Sequence, residues 1–171
     1  MKIRPILTIP DPVLRKTAAP IERVDDELRR LIDDMFATMY EAPGIGLAAP
    51  QIGISRRLIV MDPSKEDQPN TPMVMLNPEL LQRSEDMRAH EEGCLSIPEF
   101  TADIERPARA RVAYIDREGK PREAELDGIW ATLVQHEIDH LNGVLFIDYL
   151  SRLKRDMVVK KFTKQKRAEA L

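Results

Sequence analysis

The apolar residues of this chain recur with two periods. From Asp25 to Glu41, Leu28, Leu31, Ile32, Met35 and Met39 fall at helical spacing behind an acidic first turn, and Pro43 and Gly44 stop the run. LIVM at 58–61 and MVML at 73–76 predict buried strands, the second closed by Asn77-Pro78, with a polar surface loop between them. RARVAYI (109–115) and REAEL (122–126) alternate around DREGKP, which predicts a hairpin. Residues 1–20 hold four prolines and predict extended loop with short strands.

A second helix is predicted over about 128–141. On a wheel of 100° per residue, Trp130, Val134, Ile138 and Leu141 form one apolar stripe. Ile129, Leu133, His136 and His140 form another beside it, and Glu137 falls between the two. Thr132, Gln135, Asp139 and Asn142 share the remaining arc. More than a narrow stripe is therefore apolar, which predicts a largely buried helix. After Ser151, a candidate N-cap, a long basic helix follows, with Leu153, Met157, Val158 and Phe162 expected to pack inward. Short strands with a few helices and no βαβ alternation predict an α+β fold. Small antiparallel or mixed sheets would pack around the buried central helix, flanked by an N-terminal and a C-terminal helix. At 171 residues, one domain spanning 1–171 is expected.

Composition narrows the class. An apolar fraction of 43% with 32% charged residues is that of a globular chain. The net charge of −3 gives no reason to expect sequence-specific nucleic-acid binding. The charge is uneven: residues 151–171 carry eight basic side chains against two acidic ones. A single cysteine, Cys94, allows no internal disulfide and fits a reducing, cytoplasmic setting. The first residues, MKIRPILTIPDPVLRK, are too broken by Pro5, Pro10 and Pro12 for a signal peptide. No apolar run approaches the roughly 20 residues needed to span a bilayer, so no membrane partner is expected.

The candidate chemistry sits on the central helix. His136 and His140, at i and i+4, project from one face and can reach one ion, with Glu137 beside them. HExxH is a zinc-hydrolase signature with the glutamate as general base; the alternative is a pair of core imidazoles. A third ligand is required, and the candidates are His90, Cys94 and the carboxylates. A thiolate with two neutral imidazoles would complete a three-ligand set. GIGLAAPQIG (44–53) concentrates three of the seven glycines, as suits close backbone approach to a ligand, or simply a turn.

Taken together and in order, GIGLAAPQ (44–51), EEGCLS (91–96) and QHEIDH (135–140) resemble the peptide deformylase family. The likeness extends through the proline-rich N-terminus, LNPELL, GVLFIDYL and the basic C-terminal segment, as in the bacterial type with a helical C-terminus. The resemblance implies that Cys94, His136 and His140 hold a divalent metal, Fe(2+) natively, with Zn(2+), Ni(2+) or Co(2+) able to take its place. It implies Glu137 as general acid/base and the Gln51 amide and Leu95 backbone N–H as stabilisers of the oxyanion. Ile45 and Gly46 would pair with the peptide backbone. The implied reaction removes the N-formyl group from the N-terminal formyl-methionine of newly made polypeptides and releases formate. The helical wheel places Ile129 and Leu133 on the histidine face, where they either wall an apolar slot for the methionine side chain or simply belong to the core. For the basic tail the resemblance implies a ribosome contact, beside the compatible reading of a solvated amphipathic helix. Two departures concern the substrate rim: Thr101 stands near where some relatives carry an arginine, and His90 where an apolar residue is common. Two further readings are a generic HExxH metallopeptidase, whose third ligand is typically histidine or glutamate, and a catalytically silent metal-binding relative. Glu137 and Gln51, which holding a metal does not require, argue against the last.

Overall fold

A computed structural model describes residues 1–170. Helix α1 (Asp26–Glu41) starts at Asp25, whose carboxylate accepts from Leu28 N at 2.9 Å. Seven strands follow: β1 (Gly46–Ala48), β2 (Leu58–Met61), β3 (Met73–Arg83), β4 (Met87–Cys94), β5 (Ile97–Pro107), β6 (Arg109–Ile115) and β7 (Pro121–Asp127). Then come α2 (Gly128–Leu141) and α3 (Arg152–Glu169). One five-stranded sheet has the order β1-β2-β3-β6-β7, and β4 pairs with β5 in a separate hairpin; every strand pair is antiparallel. The expected α+β architecture around a buried helix is what the chain adopts.

The five-stranded sheet is covered on both faces. Ile59, Met61, Met75 and Val112 pack with Val134, Ile138 and Leu141 of α2. Leu58, Val60 and Leu76 pack with Leu28, Ile32, Met35 and Met39 of α1. Successive residues of β2 therefore face opposite helices, which explains why LIVM is apolar without alternation. A third cluster joins the β4–β5 hairpin to the C-terminal part through Ile97, Ile104, Phe146, Val158 and Phe162. Strand β7 runs into α2 with no intervening loop, and the sharp turn is made at Gly128, in the left-handed region at φ 53°.

The structure corrects several expectations. Residues 1–20 form no strand; they hold a 3-10 turn at Pro12–Arg15 and one isolated bridge from Ala19 to Arg56, because proline removes ladder donors. The strand begun at MVML continues through Asn77-Pro78 to Arg83, with a register shift between Leu76 and Glu79. Asn77 absorbs that irregularity at φ 50°. Leu95 and Ser96 form the β4–β5 turn, and Ile97 opens β5. Thr132 and Gln135, placed on the polar arc of α2, are buried; the Gln135 amide donates to Pro107 O and Ala131 O, each at 2.9 Å. In α3, Val158 and Phe162 are buried, but Leu153 and Met157 are 73% and 63% exposed. At 100° per residue the two pairs lie on different sides of the helix, and only one side meets the body.

The Asn77 side chain accepts from Ile21 N at 2.7 Å and donates to Ile21 O at 2.9 Å, tying the bulge to the N-terminal segment. Asn77→Ala loses both bonds and places an alanine in the left-handed region. It is expected to destabilise by about 2 kcal/mol and to lower Tm by about 4–8 °C. Thermal denaturation checks this, and Asn77→Gly, which relieves the backbone but not the bonds, isolates the hydrogen-bond share.

Candidate metal centre

The sequence folds so that two unrelated segments converge. His136 and His140 sit one turn apart on α2 with their rings edge to face, centroids 5.0 Å apart. Cys94 arrives from the end of β4, its Sγ 3.3 Å from His140 Nε2. Ligand atoms of Cys94, His136 and His140 all lie within 4.8 Å of one another, close enough to share one ion. His140 is buried and sits behind the wall of the adjoining cavity, whereas Cys94 and His136 open onto it.

The partners of these groups fix their orientation. Glu92 Oε1 lies 2.9 Å from His136 Nδ1, which leaves His136 Nε2 to turn toward the sulfur and His140. Glu92 is itself gripped by Arg106, with Nε and Nη2 donating at 2.6 and 3.0 Å. Arg106 Nη1 donates to Asp139 at 2.8 Å, and the Tyr149 hydroxyl donates to the same carboxylate oxygen at 2.7 Å. The Tyr149 ring lies 4.7 Å from the guanidinium carbon. None of Glu92, Arg106 and Tyr149 was singled out by sequence reasoning. One signal was present for Glu92: it stands two residues before Cys94, so a strand would put both on one face. Nothing in the sequence marks Arg106 as buried.

Burial and neighbours shift the charges. Burial would raise the Glu92 pKa, but the bonds from His136 and Arg106 outweigh it and hold it below the ordinary carboxylate range. Burial also opposes charge on His136, yet Cys94 and Glu92 raise its pKa well above the usual value. His140, buried and beside His136, goes the other way. Glu137 is buried; burial pushes it up to about 7, with Glu92 and Asp139 adding to the effect and His136 and Arg106 opposing it. Glu137 Oε1 and His140 Nδ1 are buried atoms without a hydrogen-bond partner. A thiol, two imidazoles and an adjacent unpartnered carboxylate oxygen fit a divalent ion with one position open to water.

The remaining predicted residues line a single cavity of about 720 Å³ with Cys94, His136 and Glu137: Ile45, Gly46, Gln51, Leu95, Ile129 and Leu133. Gln51 is buried; its Oε1 accepts from Ala48 N at 2.9 Å and its Nε2 donates to Ser96 Oγ at 3.0 Å, with Cys94 Sγ at 3.5 Å. Leu133 serves both as core and as cavity wall. At Gly46 a Cβ would overlap Glu137 Oε2 and come within 2.7 Å of Leu133 Cδ1, so edge strand β1 presses its bare backbone onto the helix. His90 and Thr101 stand on the cavity wall as well.

Residues 3–156, which span all three motifs, match the Polypeptide deformylase family. The chain is 59% identical over 169 residues to the peptide deformylase of Agrobacterium fabrum, covering 99% of each. It is 60% identical over 164 residues to that of Mesorhizobium japonicum, covering 96% of this chain and 93% of the relative. Among solved structures, peptide deformylase from Ehrlichia chaffeensis superposes with a TM-score of 0.92 at 37% identity, over 99% of this chain and 100% of that one. The Legionella pneumophila enzyme does so at 0.88 and 48%, over 98% of both. A cysteine and two histidines gathered beside a buried glutamate thus occur in a chain that, along nearly its whole length, belongs to the peptide deformylase family of metal-dependent hydrolases.

Proposed function

We propose that this chain, as one catalytic domain over residues 1–171, releases formate from the N-terminal formyl-methionine of newly made polypeptides. The observation that carries the reading is the convergence of Cys94, His136 and His140 beside Glu137 at the end of a cavity. The cysteine also speaks against a generic HExxH peptidase.

Cys94, His136 and His140 are the proposed ligands, and Fe(2+) is the proposed native ion, with Zn(2+), Ni(2+) or Co(2+) able to substitute. Such an ion, when bound, polarises the formyl oxygen and makes water a nucleophile near neutral pH. Glu137 takes the proton from the attacking water as the C–O bond forms at the formyl carbon. It returns that proton to the amide nitrogen as the C–N bond breaks, leaving formate and a free amine. A carboxyl with a pKa pushed up to about 7 is suited to both halves of that transfer. The Gln51 Nε2 group and the Leu95 backbone N–H donate to the oxygen that becomes negative. The substrate backbone lies along Ile45 and Gly46 at the free edge of β1, an arrangement that reads little sequence beyond the first residue. Ile129 and Leu133 flank the first side chain. A cytoplasmic location and a ribosome contact through α3 complete the proposal; no helix among the described residues is long and apolar enough to cross a membrane.

Glu137→Ala is expected to keep a full complement of metal while formate release from a formyl-methionyl tripeptide falls by at least about 100-fold. Formate assay with elemental analysis checks this, and a variant that retains both metal and rate overturns the role of Glu137. Glu92→Gln is expected to loosen the metal by about 10- to 100-fold, since His136 loses the carboxylate that orients it. Competition against a chelator measures it. Replacing Lys160, Lys164 and Arg167 by glutamate is expected to abolish co-sedimentation with ribosomes at low salt without changing formate release. Unchanged, salt-insensitive binding would exclude α3 as the docking element.

A further inference from the structure

Strand β4 turns Arg88, His90, Glu92 and Cys94 to one side, the less exposed residues alternating with the exposed Met87, Ala89, Glu91 and Gly93. Two contacts show how that side meets α2. Glu92 bonds His136 at 2.9 Å, and Arg88 Nη1 donates to Thr132 Oγ1 at 3.1 Å. His90 lies between Arg88 and Glu92 and therefore faces the helix between Thr132 and His136. Both His90 and Thr132 line the cavity together with Ile129 and Leu133. Thr132 is only 4% exposed and stands one helical turn from His136.

The wall around the first substrate side chain is thus half aliphatic and half polar. Arg88 occupies one lone pair of the Thr132 hydroxyl, which leaves that hydroxyl's own hydrogen to donate. The imidazole of His90 carries an N–H in either tautomer. A thioether sulfur is a weak acceptor and makes little use of such donors. The S=O oxygen of methionine sulfoxide is a strong acceptor one bond beyond that sulfur.

We propose that this slot admits the oxidised as well as the reduced first residue, so that N-formyl-methionine sulfoxide peptides are substrates, with the sulfoxide oxygen accepting from Thr132 and His90. The inference rests on the deformylase reading of the site. The reaction is the same hydrolysis: water adds to the formyl carbon, the C–N bond breaks, and the sulfur keeps its oxidation state.

In a wholly apolar slot, a buried acceptor left without a donor would cost roughly 5- to 150-fold in kcat/KM. The test compares metal-loaded enzyme on three tripeptides that begin with formyl-methionine, formyl-methionine sulfoxide or formyl-norleucine. The sulfoxide peptide is expected within about 10-fold of the methionine peptide in kcat/KM. Thr132→Val and His90→Leu are each expected to widen that gap by about 5-fold or more, whereas Thr132→Ser and His90→Gln keep it near the wild-type value. The norleucine-to-methionine ratio, which a weak thioether acceptor makes nearly insensitive to donors, should change by less than about 2-fold in all four variants. Calorimetric titration of the deformylated sulfoxide tripeptide into metal-free protein is expected to rank the variants in the same order. A wild-type enzyme that disfavours the sulfoxide by more than about 10-fold overturns the proposal, as does a ratio that Thr132→Val and His90→Leu leave unmoved. Absence of formate from every peptide would instead overturn the deformylase reading.

Discussion

One guanidinium holds the two halves of the site together. Arg106, on β5, is nearly inaccessible and is gripped by Glu92 of β4 and Asp139 of α2. Neither the hairpin nor the helix makes the metal centre alone: the hairpin brings the sulfur, the helix the imidazoles. Their relative position is set where a cation from one meets an anion from the other. Taking these charges out of water is costly, so the cluster is poor support for stability in itself. Its value lies in geometry. With the guanidinium removed, Glu92 and Asp139 would be like charges facing an empty space, and a broken buried pair typically costs about 3–5 kcal/mol. Glu92 passes the constraint on to His136, and Cys94 follows two residues later on the same strand face.

The same neighbourhood treats a second carboxylate in the opposite way. Glu92 receives donors on both oxygens and is held as an anion. Glu137, one residue from His136, has a buried oxygen with no partner and is pushed up to about 7. Two carboxylates in one site with pKa values driven apart is the pattern that separates a positioning group from a proton carrier. Gly46 contributes by what it lacks: with no Cβ, the β1 backbone lies directly on Glu137 and Leu133 and keeps water from that side.

Much of this was legible in the sequence, because the central helix writes its burial as periodicity and its chemistry as spacing. The wheel of α2 predicted a buried helix with both imidazoles on one face, and both proved buried. Residues of all three motifs line the cavity. The β4–β5 hairpin was far harder to read, because its inward positions are Arg88, His90, Glu92 and Arg106, residues that ordinarily mark a solvated face. Thr132 and Gln135 misled for the same reason: polar side chains with partners supplied by distant segments look exposed in one dimension. In α3 four apolar residues suggested one inward face, but their angular spread was too wide for a helix touching the body on one side. The prolines at the N-terminus were read as loop with strands, yet Ile9 and Leu14 there act as buried plugs in the third core cluster.

The polar inward face of β4 also explains why the hairpin needs so exact a lock. Side chains alternate along a strand, so a slip of one residue would turn Arg88, His90, Glu92 and Cys94 outward and bring Ala89, Glu91 and Gly93 in. Hydrophobic patterning normally forbids such slips, but here it has little to work with on that face. The register is held instead by directional contacts: Arg88 to Thr132, Glu92 to His136 and to Arg106. At the far end the pairing jumps from Gly93–Thr101 to Cys94–Ile97, and Glu99, in the left-handed region at φ 65°, lies within the extra length of β5. The extra residues belong to β5, and Cys94 closes the ladder opposite Ile97 on the same side of β4 as Glu92. One short strand therefore encodes the slot wall, the imidazole's partner and the thiol at successive inward positions, and the buried ions supply the register that its apolar content cannot.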